Sequence, residues 1–89
     1  MAVRRTVEMR NKRGLHARAS AKFVTLASGL PAEVQVDKDG SSVCGTSIMG
    51  LMMLGAAYGD SITISAEGDG AEEAVAALAE LVEGKFGEE

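Results

Sequence analysis

The apolar residues of this chain change period several times, and the changes mark out its elements. Val3 to Met9 (VRRTVEM) places Val3, Val7 and Met9 on one face and Thr6 and Glu8 on the other, an imperfect strand pattern. Asn11 to Gly14 reads as a polar loop. Ala17 to Ala27 (ARASAKFVTLA) carries small and apolar residues at helical spacing, with Ala17, Ala21, Val24 and Ala27 as its stripe and Phe23 and Leu26 beside them. Gly29 and then Pro31 follow in the usual order for a helix end. Glu33 to Lys38 (EVQVDK) alternates, with Val34 and Val36 inward. Asp39-Gly40 is a hairpin turn that leads into a short return strand, Ser41 to Gly45.

Thr46 or Ser47 can cap a short helix holding Ile48, Met49, Leu51, Met52, Met53 and Leu54. Ser61 to Glu67 (SITISAE) alternates again, with Ile62 and Ile64 on one face. Ala71 to Glu83 is the clearest helix, with Val75, Leu78, Leu81 and Val82 as its stripe; Glu72 and Glu73 sit in its first turn, where the helix dipole favours anions. Gly84 or Gly87 ends it. The order is strand, helix, strand, strand, short helix, strand, helix. This predicts an α/β (α+β) fold: a four-stranded, mainly antiparallel sheet with three helices on one face and water on the other. No internal repeat or linker interrupts the chain, so one domain is expected over residues 1–89.

Aromatic residues make up 3% of the 89 and Trp is absent, so the core must come from Val, Leu, Ile, Ala and Met. The lone Cys44 excludes an internal disulfide and argues for a reducing compartment. No apolar run follows Arg4 and Arg5, so no signal peptide is read, and Ser41 to Tyr58 is too short and Gly-rich to span a membrane. A cytoplasmic protein is expected. The net charge of −4 hides a division: residues 1–32 carry +6 and residues 33–89 carry −10. Five cations and no anion lie between Met9 and Glu33, which suits an anionic ligand or an acidic partner, or simply a solvated basic face. Nucleic-acid binding is the weaker reading, because the chain is acidic overall and lacks stacking aromatics near the cations.

Candidate chemistry concentrates in GLHARASAK, residues 14–22. His16 is the only histidine and stands at the predicted helix boundary, with Arg18 in the first turn and Lys12 and Arg13 just upstream. A helix start already behaves as a partial positive charge with unpaired N–H groups, so an arginine there is locally unfavourable unless an anion visits. Backbone N–H groups, dipole and guanidinium would then converge on a phosphate or carboxylate. Imidazole titrates near neutrality and leaves one ring nitrogen free as a nucleophile. Phosphoryl transfer needs mainly positioning and neutralised equatorial oxygens, which such a site offers. The bland alternative is a histidine substituting for an ordinary N-cap beside a surface arginine. One histidine and one distant cysteine make a poor metal site, so no metal or cofactor is expected. The apolar residues of the short helix cover more than one face. Ile48, Leu51 and Leu54 suit the core, while Met49, Met52 and Met53 suit a flexible docking surface for more than one protein. Ser47 at that helix start is a plausible switch, since a phosphate there would set negative charge beside the docking residues.

GLHARASAKF resembles the active-site segment of the HPr family, the histidine phosphocarriers of the bacterial phosphoenolpyruvate-dependent phosphotransferase system. TSIMGLMMLGAAYGDSITISAEG resembles the family's second block, and the resemblance covers nearly the whole chain. It implies an open-faced β-sandwich in which His16 is phosphorylated through Nδ1 and Arg18 pairs with the phosphoryl group. Ser47 would match the serine that a regulatory kinase, an HPr kinase/phosphorylase, modifies in some members. The implied partners are an Enzyme I-type donor and an EIIA-type acceptor, served by a monomeric relay with no turnover of its own. The family commonly has proline just after the arginine, where this chain has Ala19; alanine is also a good helix residue, so the departure bears on phosphohistidine lifetime and partner preference rather than on the fold. The alternative is a regulatory binding protein that is not a carrier and works through the methionines and Ser47.

Overall fold

The computed structural model describes residues 2–88; the two end residues of the expected 1–89 span lie outside the described residues. Four strands, β1 (Ala2–Glu8), β2 (Glu33–Lys38), β3 (Ser41–Cys44) and β4 (Ser61–Glu67), alternate with three helices, α1 (Ala17–Ser28), α2 (Ile48–Met53) and α3 (Ala71–Glu83). A 3₁₀ turn, Lys85–Gly87, follows α3. The strands form one sheet in the order β1-β4-β2-β3, and every neighbouring pair is antiparallel.

Period-2 patterning decides which face is covered. Val7 sits opposite Ile62, and Val36 opposite Ile64. These side chains are buried together with Val34 and Ala66 under α1 and α3. The open face carries polar cross-strand pairs instead, such as Thr6–Thr63 (Oγ1–Oγ1 2.9 Å) and Ser42 donating to Gln35 Oε1 (3.1 Å). Arg5 shares the covered side with Val3 and Val7, yet it stays half-exposed at the margin and reaches Glu83 of α3 at 3.7 Å. The β2–β3 turn places Asp39 and Gly40 at positive φ (49° and 86°), which matches the right-handed twist of the two strands.

Three details differ from the sequence reading. The buried stripe of α1 is Ala19, Ser20, Phe23 and Ala27, whereas Ala17 is exposed and Ala21 and Val24 only half-buried. Phe23 sets the helix rotation, because its burial outweighs that of several alanines. α2 has six residues, fewer than two turns, and only Leu51 is buried. Ile48, expected in the core, is 40% exposed. Asn11, read as part of a polar loop, is fully buried.

Candidate functional site

The segment between β1 and α1 is pinned to the loop after α2 by backbone hydrogen bonds. The N–H of Met9 donates to the Asp60 carbonyl (2.7 Å), that of Gly59 to Met9 (2.9 Å), and that of Leu15 to Ala56 (2.9 Å). Gly14 has φ +62°, and a Cβ there would stand 2.2 Å from the Ala56 carbonyl oxygen, so the close approach requires glycine. The Asn11 amide nitrogen donates to the Gly14 carbonyl at 2.8 Å and braces the turn from inside. Because both neighbours of that nitrogen are acceptors, the amide orientation is settled by the network.

This frame delivers His16 to the N-cap of α1 with extended backbone (φ −75°, ψ 179°). Its Nδ1 accepts a hydrogen bond from the Arg18 backbone N–H at 3.2 Å, the work that Ser, Thr, Asp or Asn usually does. Its Nε2 lies 2.7 Å from Oε2 of Glu88. A carboxylate only accepts, so Nε2 carries the ring proton and Nδ1 keeps its lone pair, directed at the helix start. The first turn of α1 contains no acidic residue, and the leading N–H groups of the helix face the same point. The His16 side chain is 15% exposed, reachable at one edge while held on the other.

Glu88 arrives through an unusual backbone. Lys85 and Phe86 both adopt left-handed conformations (φ 61° and 55°), and Gly87 follows at φ 76°. Two non-glycine residues in that region cost on the order of 1–3 kcal/mol each and persist only where their surroundings hold them. Phe86 is buried in the core, and Lys22 of α1 donates to its carbonyl at 2.7 Å. Glu88 Oε1 accepts from the Asn11 amide at 3.2 Å while Oε2 meets His16. Burial of Glu88 works to raise the pKa of its carboxyl. The hydrogen bonds from His16 and Asn11, with the nearby charge of Lys22, outweigh that and hold it below the usual glutamate range. Glu88 is therefore an anion at neutral pH. Neither Glu88 nor Asn11 stood out in the sequence.

The other expected residues fall as follows. Arg18 reaches His16 through its backbone N–H. Its exposed guanidinium has no hydrogen-bond or ion-pair partner among the described residues, and Arg18 lines a groove with Ala21, Lys22, Leu26 and Leu81. Ala19 is buried in the first turn. Ser47 is the N-cap of α2, its Oγ accepting from the Gly50 N–H at 3.0 Å. Met49 (68% exposed), Met52 (40%) and Met53 (80%) form an apolar surface that Ile48 extends. α2 packs on α1, and the loop after α2 holds Leu15, so this surface belongs to the same end of the molecule as His16.

Residues 3–84 match the family model described as the PTS HPr component phosphorylation site. The chain belongs to the HPr family, the phosphocarriers of the phosphotransferase system. It is 50% identical over 86 residues to phosphocarrier protein HPr of Neisseria meningitidis, covering 97% of each chain. It is 40% identical over 90 residues to phosphocarrier protein NPr of Escherichia coli, covering 100% of each. Among solved structures, HPr-C-His from Thermoanaerobacter tengcongensis superposes with a TM-score of 0.93 at 49% identity, covering 98% of each chain. The HPr-like open-faced sandwich expected from the sequence is thus the observed fold.

Proposed function

We propose that this HPr-family chain is a cytoplasmic relay that carries a phosphoryl group on Nδ1 of His16. The group comes from an Enzyme I-type donor charged by phosphoenolpyruvate and passes to an EIIA-type acceptor. The observation that carries the reading is the setting of the His16 ring: Nε2 lies 2.7 Å from a Glu88 carboxylate oxygen, and Nδ1 meets the Arg18 N–H at a helix start free of acidic residues. In the transfer, the Nδ1 lone pair forms the N–P bond as the bond from phosphorus to the donor breaks, its electron pair leaving with the donor. Nε2 keeps its proton. The Arg18 N–H, released from Nδ1, then faces the phosphoryl oxygens with its neighbours in the first turn. The Arg18 guanidinium, on a flexible stem, swings in to pair with them.

One monomeric domain over residues 1–89 performs all of this without turnover of its own. Met49, Met52 and Met53 dock donor and acceptor in turn. A phosphate on Ser47, added by a regulatory kinase of the HPr kinase/phosphorylase type, sets charge beside that surface and weakens docking. Mixing the protein with an Enzyme I-type donor and phosphoenolpyruvate yields one acid-labile phosphate, and His16→Ala yields none. A stoichiometric signal surviving in His16→Ala would reject the assignment.

A second reading, regulation without phosphoryl relay, is favoured by one observation. The chain is also 42% identical, over 90% of its length, to Crh, described as the catabolite repression HPr of Bacillus subtilis. Under that reading the exposed methionines and Ser47 act alone, and His16→Ala leaves the biological effect intact.

A further inference from the structure

Where β1 ends, the fold gathers three cations and an aromatic ring from three distant parts of the chain. A cavity of about 900 Å³ there is lined by Glu8, Met9, Arg10, Lys12, Tyr58 and Lys85. Arg10, Lys12 and Lys85 pair with no carboxylate among the described residues, and with Glu8 as the one acid present the lining carries a net charge of +2. Tyr58, an exposed ring, comes from the loop after α2; the Gly59 N–H bond to the Met9 carbonyl (2.9 Å) holds that loop against the end of β1. Lys85 has φ 61° and directly follows the helix-end Gly84, a position that glycine fills without strain. Burial accounts for the left-handed backbone of Phe86, but Lys85 is exposed, so the core makes no demand on its side chain. The cavity shares no residue with the groove that Arg18 lines, and none of the exposed methionines belongs to it.

We propose that this cavity is a second anion site, separate from the His16 site, and that its ligand is a nucleoside diphosphate. Its volume falls within the roughly 300–1,000 Å³ of ordinary small-ligand sites. Two linked phosphoryl groups bring the negative charge that the lining lacks. Arg10 meets them with a planar fork of donors, and Lys12 and Lys85 with mobile point charges. The face of Tyr58 stacks on the base. Glu8 accepts hydrogen bonds from the ribose hydroxyls, as an acidic residue does in dinucleotide-binding folds. Along the sequence the cations have no aromatic neighbour; the fold supplies one in Tyr58. A single ring serves a single base, which favours one nucleotide over a strand. A ligand held by Arg10, Lys12 and Lys85 ties the end of β1 to the segment after α3 and leaves Arg18 and the methionines uncovered.

The test is a titration of the full ¹⁵N-labelled chain with metal-free ADP at low ionic strength. The amide signals of Met9, Lys12, Tyr58, Gly59 and Lys85 move together and saturate, and the affinity falls as salt is added. Adenosine, which lacks the phosphates, binds at least about tenfold more weakly. Lys85→Gly removes a cation and relieves the backbone at once; it weakens ADP binding about tenfold while the melting temperature holds or rises. Lys12→Gln weakens binding in the same direction. Tyr58→Ser lowers the affinity for ADP and leaves that for inorganic pyrophosphate as it was. No saturation by about 10 mM ADP, or an affinity unchanged in both Lys85→Gly and Lys12→Gln, would overturn the proposal. Shifts confined to Ala17, Arg18 and Ala19, and lost in Arg18→Ala, would put the phosphates at the start of α1 and leave no second site. Pyrophosphate binding as tightly as ADP, with Tyr58→Ser without effect on either, would remove the nucleoside from the assignment, and a single-stranded oligonucleotide binding more tightly than ADP would give the surface to a strand instead.

Discussion

Gly14→Ala tests how the His16 loop is held, and its cost can be built from two separate parts. The first is conformational. Gly14 has φ +62°, and an alanine held there costs roughly 1–2 kcal/mol. The second is the overlap of the new Cβ with the Ala56 carbonyl oxygen, 2.2 Å away and part of the backbone. Backbone cannot rotate aside, so the two segments must part and the Leu15 N–H loses its 2.9 Å bond to Ala56. Leaving a buried donor unpaired costs about 1–3 kcal/mol. The total is about 3 kcal/mol, against a stability of roughly 4–13 kcal/mol for a chain of 89 residues. At about 4–8 °C per kcal/mol, the melting temperature should fall by about 12–24 °C. Gly55→Ala is the control, because Gly55 has φ +66° but nothing within 4 Å of its would-be Cβ. It should cost only the conformational part, about 1.5 kcal/mol, or about 6–12 °C. Calorimetry or circular dichroism on the two variants reads the difference. Equal losses in both would refute the claim that the Gly14–Ala56 contact holds the loop. Phosphorylation measured below both transitions should also be slower in Gly14→Ala, since His16 lies two residues downstream.

Arg18→Ala should slow phosphoryl transfer by about one to two orders of magnitude, the scale expected for one guanidinium on a transferred phosphoryl group, with little change in melting temperature; an unchanged rate would remove the guanidinium from the mechanism. Ser47→Ala loses the cap bond to Gly50 and should cost about 1 kcal/mol in a denaturant titration. Ser47→Asp keeps a capping oxygen but adds charge, so calorimetric titration with the donor should show weaker binding at nearly full stability. Met49→Ser combined with Met53→Ser should weaken the same binding while leaving the fold as stable as before, because both side chains are mostly exposed. Unchanged affinity would take those methionines out of the docking surface.

Much of the fold was legible because its patterns are long or emphatic. EVQVDK followed by Asp39-Gly40 announces β2 and its turn, and α3 carries Val75, Leu78 and Val82 on its buried face, with Leu81 half-buried at the margin. α1 was placed correctly along the chain but rotated wrongly. Its helical face is written mostly in alanine, which contributes little to burial whichever way it points, so Phe23 alone settled the rotation. In α2 the pattern was too short to define one face, and Ile48 was assigned to a core that only Leu51 reaches.

The site was legible where it is local and hidden where it is not. His16 and Arg18 lie side by side at a helix start, and a cation in place of the usual acid marks the spot. Glu88 is 72 positions away from His16, and no spacing rule connects them. The available signal was Phe86, an apolar residue between Gly84 and Gly87 in an otherwise polar segment, which had to turn back to find cover. Asn11 looked like an ordinary loop residue because burial cannot be read from a polar side chain whose partners come from elsewhere.

The most direct test is to find the atom that bears the phosphate. With ¹⁵N label and the single histidine of the chain, long-range proton–nitrogen spectra of the phosphorylated protein assign both ring nitrogens of His16 without ambiguity. A phosphorus coupling on Nδ1, with the proton still on Nε2, is the expected result. Coupling on Nε2, or phosphate on a hydroxyl with both ring nitrogens unmodified, would contradict the account.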